Sequence, residues 1–285
     1  MNSITAPTSN QTPHARAWAA PGQKRAADSI QAILYPTAAV ISVLAVWQWA
    51  VAQFSIPELI LPAPSTIFAD VWHTRDVYFH FMLPTLVEIL IGFAAAAAVG
   101  ILLGMLVTFN ALCNRTIYPL MVSSQMVPKV ALAPVFIIWF GTGLQAKVLI
   151  SFLIAFFPIM VSTMVGLESI EPDMVKLFRS MGAGRIRTFF KLRLPAALPN
   201  IFAGLKVGMS MAVVGAVVGE FVAADRGLGY YLIYANGQLN TVGVFSALLL
   251  LTVLGVVLYF LVEISQRFFI PTALIKGSDP NQATM

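Results

Sequence analysis

The chain has 285 residues, 59% of them hydrophobic and 10% charged, with a net charge of +5 and a mean hydropathy of +0.84. A soluble domain is about 45–50% apolar and about 25% charged, so an ordinary soluble domain is excluded and a membrane protein is indicated. The basic balance does not point to nucleic acid, because the cations flank apolar segments and no nucleic-acid motif occurs; the one cysteine, Cys113, leaves no intramolecular disulfide to form.

Residues 1–30, rich in Ser, Thr, Pro, Gln and Asn, read as a disordered cytoplasmic tail. The first apolar run begins only near Ile33 and lacks a small-residue cleavage site, which argues against a signal peptide. Six apolar spans follow, at about 31–53, 84–109, 116–138, 146–167, 200–222 and 243–266. Each is long enough for the roughly 20 helical residues that cross a bilayer. Trp47, Trp49, Tyr118 and Trp139 fall at span ends, as interfacial aromatic residues do. Between spans lie a loop (54–83), two short turns, a polar segment (168–199) and a Gly-rich loop (223–242). Residues 31–270 thus form one six-span domain, and 271–285 read as a second cytoplasmic tail.

With the N-terminus inside, twelve cations are cytoplasmic: Arg16, Lys24, Arg25, Arg115, six between Lys176 and Arg193, Arg267 and Lys276. Three, Arg75, Lys147 and Arg226, are outside, and Lys129 and Lys206 fall within spans. The positive-inside rule therefore predicts that both termini and the 168–199 segment are cytoplasmic.

The third span, "YPLMVSSQMVPKVALAPVFIIWFGTG", carries Pro119, Pro128 and Pro134. Proline removes a helical hydrogen bond, and a broken helix survives in a membrane only where protein or a water-lined cavity covers the freed backbone. Two readings stand: a kinked packing helix, or a segment beside a translocation path.

In the 168–199 segment, Glu171, Pro172 and Asp173 form a helix start, with acids near the positive end of the dipole. Met174, Leu177, Phe178 and Met181 follow at i, i+3, i+4 and i+7, one apolar stripe. Gly182 or Gly184 is placed to end the helix in a left-handed cap. A second short helix is predicted from Arg185, with Ile186, Phe189 and Phe190 on one face, before Pro195 and Pro199 turn the chain back to the membrane. No acid occurs from Met174 to Gly219. Such a helix pair either lies on lipid, its cations on phosphates, or docks its Leu177/Phe178/Met181 ridge into a groove on a soluble partner.

Gly182, nine residues, Leu192, one residue, then Leu194-Pro195 resembles the G-x9-I-x-L-P pattern of permease subunits of binding-protein-dependent ABC importers. The Glu-Ala-Ala triplet of that pattern is replaced here by Lys176-Leu177-Phe178. "LPAPSTIFADVW", "KVALAPVFIIWFGTG", "AFFPIMVSTMVGL" and "GEFVAADRGLGYYL" extend the resemblance over about residues 58–270, to the nitrate, sulfonate and taurine branch. Pyrimidine-precursor and flavin importers share that branch.

The resemblance implies an all-α integral membrane fold of six transmembrane helices, with a cytoplasmic coupling helix between spans 4 and 5. ATPase-docking residues would be Lys176, Leu177, Phe178, Arg179, Met181, Gly182, Ala183, Arg185, Leu194 and Pro195. The implied partners are an ATP-binding cassette ATPase, an extracytoplasmic solute-binding protein, membrane lipid and a second permease chain, a homodimer being the simpler assembly. The implied location is the inner membrane of a bacterium. No cofactor is expected in this chain: Gly-x4-Gly-Lys-[Ser/Thr] is absent, so ATP would be bound by the partner. The three histidines, His14, His73 and His80, have no neighbouring ligand set, and no Ser/His/Asp grouping shares one depth, so neither a metal centre nor an enzyme is expected. A gradient-driven secondary transporter is the rival class, disfavoured by six spans without a clear repeat.

Glu88, Lys129 and Glu220 lie within or at the ends of spans. A charge at the bilayer centre costs about 2.5–3.5 kcal/mol, so each requires a partner, snorkelling, or a place lining the path or its outer gate. Two like charges about 4 Å apart repel by about 4 kcal/mol at an effective dielectric of about 20. A path lined by Glu88 and Glu220 without nearby cations would therefore favour a neutral or heterocyclic organic solute over nitrate or a sulfonate. Lys206 is expected to snorkel, and Gly100 and Gly104 to serve helix packing.

Overall fold

A computed structural model describes residues 21–223 and 225–270, and all their regular structure is helical. The chain separates into Met1–Ser55 and Ile56–Met285.

The first unit holds α1 (Pro21–Gln53). Proline is favoured at a helix start because its missing N–H has no intrahelical partner there. Residues 21–30, tail-like in composition, are helical, as good helix formers such as Gln23, Lys24, Arg25, Ala26 and Ala27 allow. The tail expectations for 1–20 and 271–285 lie outside the described residues.

In the second unit, α2 (Pro64–His73) and the start of α3 (Arg75–Phe109) occupy the stretch expected to be a loop. The Gly-rich 223–242 stretch likewise contains a helix, α10 (Leu228–Gly237). α4 (Ala111–Ser124) is capped by Asn110, whose side-chain oxygen accepts from the backbone N–H groups of Leu112 and Cys113 at 2.9 and 3.4 Å. After α4 come a 3₁₀ turn (Lys129–Leu132), α5 (Ala133–Phe140) and α6 (Leu144–Glu168). Next are α7 (Pro172–Ser180) and α8 (Arg185–Thr188). A π turn (Phe189–Arg193) then leads into α9 (Leu194–Ala223), and α11 (Thr241–Phe269) closes the described chain.

Five of these helical runs are long and apolar enough to cross a membrane, and α4 with the 3₁₀–α5 run makes a sixth if that pair, bent by 84°, counts as one span. The break falls between Ser124 and Lys129, where Pro128 cannot donate to a continuing helix.

The centre of the unit is α6, packed along α3 on one side and α9 on the other. Helices in lipid gain little from apolar burial and associate through close van der Waals contact, which small residues permit. Gly100 and Gly104 lie on α3 against the α6 residues Phe156 and Thr163, as their spacing predicts. On α9, a methyl group at Gly208 would come within 2.5 Å of Ile159, and one at Gly215 within 2.6 Å of the Ser151 Cα. Gly215 faces backbone, which cannot swing aside. Overpacking of this kind costs about 1–3 kcal/mol. Gly215→Ala is therefore expected to lower the thermal denaturation midpoint of the detergent-purified chain. Gly143→Ala, where nothing lies within 4 Å of the added carbon, should leave it unchanged.

Candidate functional site

Three polar regions stand out on this apolar frame. The first is at the end of the bundle where α6 begins and α9 finishes. Lys147 on α6 reaches Glu88 on α3, Nζ to Oε1, at 2.7 Å, with side chains only 4% and 1% exposed. Glu220 on α9 is equally enclosed and is held by hydrogen bonds. Its Oε1 accepts from the Thr85 hydroxyl at 2.6 Å, and its Oε2 from the Gly229 N–H at 2.6 Å. The same Thr85 oxygen accepts from the Leu228 N–H at 2.8 Å. Glu220 and Thr85 thus bind the first amides of α10, where the helix dipole favours negative charge.

Gly227, at φ +112°, precedes α10, and a Cβ there would strike the Glu220 carboxylate. Glycine is required both for the left-handed backbone and for the space. Beside this cluster Asp70 accepts from Tyr78 Oη at 2.5 Å and Ser246 Oγ at 2.6 Å, joining α2, α3 and α11. A cleft of about 620 Å³ opens over the Glu88–Lys147 pair, lined also by His80, Val87, Asp225 and Arg226. Arg226, paired with Asp225 at 3.1 Å, holds that exposed carboxyl below its ordinary range.

Sequence reasoning selected Glu88 and Glu220 but missed Lys147, which was counted with the outer loops and is instead buried. It also missed Thr85. The premise that the two carboxylates lack a nearby cation is overturned: Lys147 neutralises Glu88. Neither Lys206 nor Lys129 does so. Lys206 pairs with Glu263 at 2.9 Å, and the Lys129 ammonium lies 5.2 Å from the Phe157 ring centre.

The second region is α7–α8, at the opposite end of α6 and α9. Asp173 in the first turn of α7 and Arg179 in the last both suit the dipole. The helix ends in a Schellman motif: the Ala183 N–H donates to Phe178 O at 3.1 Å and the Gly182 N–H to Arg179 O at 2.9 Å. Gly182, at φ +79°, supplies the left-handed residue; Gly184 does not. Met174, Leu177 and Met181 are exposed on one ridge, whereas Phe178 and Ala183 are half-buried. Lys176 is exposed and pairs with Asp173 at 2.8 Å. Leu194 and Pro195 are half-buried in the first turn of α9. Arg179 and Arg185 line a cleft of about 580 Å³ with Met105, Phe109, Phe189 and Arg193. Phe109 packs edge-on to Phe189 at 4.9 Å and under the Arg193 guanidinium at 5.6 Å.

The third region is the α4–α5 break, where Ser123, Ser124 and Gln125 are exposed beside half-buried Lys129.

The chain has known relatives. Residues 89–273 match the family of binding-protein-dependent transport system inner membrane components. The formylaminopyrimidine transport permease protein ThiX of Halalkalibacterium halodurans is 36% identical, over 84% of this chain and 95% of its own length. The riboflavin transport system permease protein RibX of Chloroflexus aurantiacus is 33% identical, over 80% of this chain and 85% of its own. A chain of the MetNI methionine ABC transporter, solved in inward-facing conformations, shares the fold. It has a TM-score of 0.58 and 22% identity, covering 74% of this chain and 99% of that one. This chain belongs to the binding-protein-dependent inner-membrane component family: it is the multi-pass permease component of an ABC importer of a small solute. Membership implies an ATPase and a solute-binding protein as partners.

Removing one partner of a buried ion pair costs about 3–5 kcal/mol because the other charge is stranded. Lys147→Met is therefore expected to destabilise the chain strongly in thermal denaturation. Lys147→Met with Glu88→Gln should recover much of that loss, as coupled sites do. Additive losses would mean that the two side chains do not interact.

Proposed function

We propose that two copies of this chain form the translocation path of the importer, with both termini and α7–α8 on the cytoplasmic face. In this reading α7 is the coupling helix and ATP is bound and hydrolysed only by the partner subunit. The observation that carries it is the exposed Met174/Leu177/Met181 ridge on a helix fixed at its end by Gly182. An apolar ridge outside the spanning segments suits a groove on a soluble protein. Arg179 and Arg185 flank it and would pair with acids at the rim of that groove. Phe178, half-buried, would position α7 from below rather than enter the groove. Leu194 and Pro195 would fix where the spanning helix leaves the segment.

At the other end, Glu88–Lys147 and Glu220 would act as the outer gate, tying the start of α10 to α3, α6 and α9. Lys129 would line the path. The solute is proposed to be a small organic molecule of the heterocyclic kind, a reading supported by the similarity to ThiX and RibX. A small oxyanion is the second reading. It is favoured by one observation: Lys147 neutralises Glu88, which removes the charge repulsion expected from the sequence.

Burying an exposed apolar side chain is worth about 1.5–3 kcal/mol, or about tenfold or more in affinity per residue. Leu177→Ala and Met181→Ala should each weaken ATPase association about tenfold and uncouple ATP hydrolysis from uptake, with membrane insertion unchanged. Co-purification and vesicle uptake measure this, and unaltered association and uptake would assign the ridge to the lipid surface. Raised salt should also weaken assembly. In a Cys113→Ser background, Gly184→Cys should react with an impermeant thiol reagent only from the cytoplasmic side, and Asp225→Cys only from the outside. The opposite pattern would invert the orientation.

A further inference from the structure

Phe157 is the fourteenth residue of the 25-residue α6, counting from Leu144. The Lys129 ammonium, 5.2 Å from that ring, is therefore held near the middle height of a spanning helix. Two other cations on the spanning helices, Lys147 and Lys206, have carboxylate partners, whereas none pairs with Lys129 among the described residues. An aromatic face satisfies charge but takes none of the three N–H donors of an ammonium.

The neighbouring groups are equally available. Ser124 donates back to Met121 O at 2.7 Å, but no side-chain hydrogen bond engages Ser123 or Gln125 among the described residues. All three are exposed at a break where α4 and the 3₁₀–α5 run meet at 84°. Hydrocarbon cannot solvate such a group of polar side chains, and non-helical backbone at membrane depth requires protein or water around it. An unpaired ion inside a membrane protein marks an ion or substrate pathway by default.

We propose that the break is the point where the permease touches its solute. Lys129, Ser123 and Gln125 form a water-accessible site for the electron-rich end of the cargo: a carboxylate, a sulfonate, or the ring-nitrogen and carbonyl edge of a heterocycle. Cationic solutes are disfavoured by the same ammonium. This rests on the importer reading and adds to it a sign of charge at a defined height. The outer carboxylates do not oppose it, since Glu88 is neutralised and Glu220 is enclosed by Thr85 and the α10 amides.

The test uses the transporter assembled with its ATPase in lipid nanodiscs, with Cys113→Ser and one new cysteine at Ser123 or Gln125. Two thiol reagents are compared: anionic 2-sulfonatoethyl methanethiosulfonate and cationic 2-(trimethylammonium)ethyl methanethiosulfonate. Charge focusing in a narrow site changes encounter rates by about tenfold or more. The anionic-to-cationic rate ratio, normalised to free cysteine, should rise about tenfold in at least one nucleotide state. It should return to the free-thiol value in Lys129→Gln and stay raised in Lys129→Arg. Leu102→Cys, on an exposed apolar face of α3, should react with neither reagent. A charge-blind ratio, or no modification of Ser123→Cys and Gln125→Cys in any nucleotide state, would overturn the proposal. The second result would mean that a second copy or lipid covers the break. ATP-dependent uptake by the Cys113→Ser protein tests the importer reading separately, so either idea can fail without the other.

Discussion

Lipid tails are as apolar as leucine, so α3, α6 and α9 cannot be held together by escape from water. They are held by contact, and contact at this range is possible only where side chains are absent. Glycines on α3 and α9 let α6 approach both neighbours until backbone meets side chain and, at Gly215, backbone meets backbone. The polar end of the bundle depends on that approach. The Glu88–Lys147 pair, at 2.7 Å, bridges α3 and α6, while Thr85 on α3 and Glu220 on α9 meet at 2.6 Å. A bundle loosened by a methyl group would stretch both contacts.

A buried ion pair is a poor source of stability, because apolar residues of the same size often do as well. The neighbouring Glu220 acts by position. Glu220 and Thr85 bind the Leu228 and Gly229 amides, and a Cβ at Gly227 would collide with the carboxylate. The start of α10 is therefore held by directional bonds to α3 and α9 as well as by the burial of Leu228 against Tyr78 and Leu251.

The spans were legible because hydropathy over some 20 residues reports burial in lipid whatever the partners are. α7 was legible for a different reason. Its signals are local: Pro172 at the start, Asp173 beside it, an apolar stripe, and Gly182 in the left-handed cap. α2 and α10 were read as loops, although Pro64 opens the first and "LGYYLIYANG" is apolar. Both are too short to register as spans, and the glycines around α10 imitate a turn. The Lys147 partner of Glu88 could not be found from periodicity, since 59 residues (147 − 88) separate them and nothing local fixes their common height. The exposure of Leu177 and the half-burial of Phe178, one residue apart on the same stripe, likewise depend on what lies beneath α7.

The pairing of cations divides the molecule by role. Arg75, Lys147, Lys176, Lys206, Arg226 and Arg267 each meet a carboxylate. Between α7 and the end of the π turn, Arg179, Arg185, Arg187, Lys191 and Arg193 meet none among the described residues, and no acid lies within one helical turn of any of them in sequence. A glutamate one helical turn away could have paired with any of them, at a gain of only about 0.3–0.5 kcal/mol. Forgoing that small local stabilisation leaves four of these cations without a partner among the described residues, near an exposed apolar ridge, while Arg193 rests on the Phe109 ring. Uncommitted charge is what a partner can use: each cation that finds an acid or a phosphate only on assembly contributes to the complex and nothing to the isolated chain. Lys129 likewise meets no carboxylate among the described residues and rests on the Phe157 ring instead.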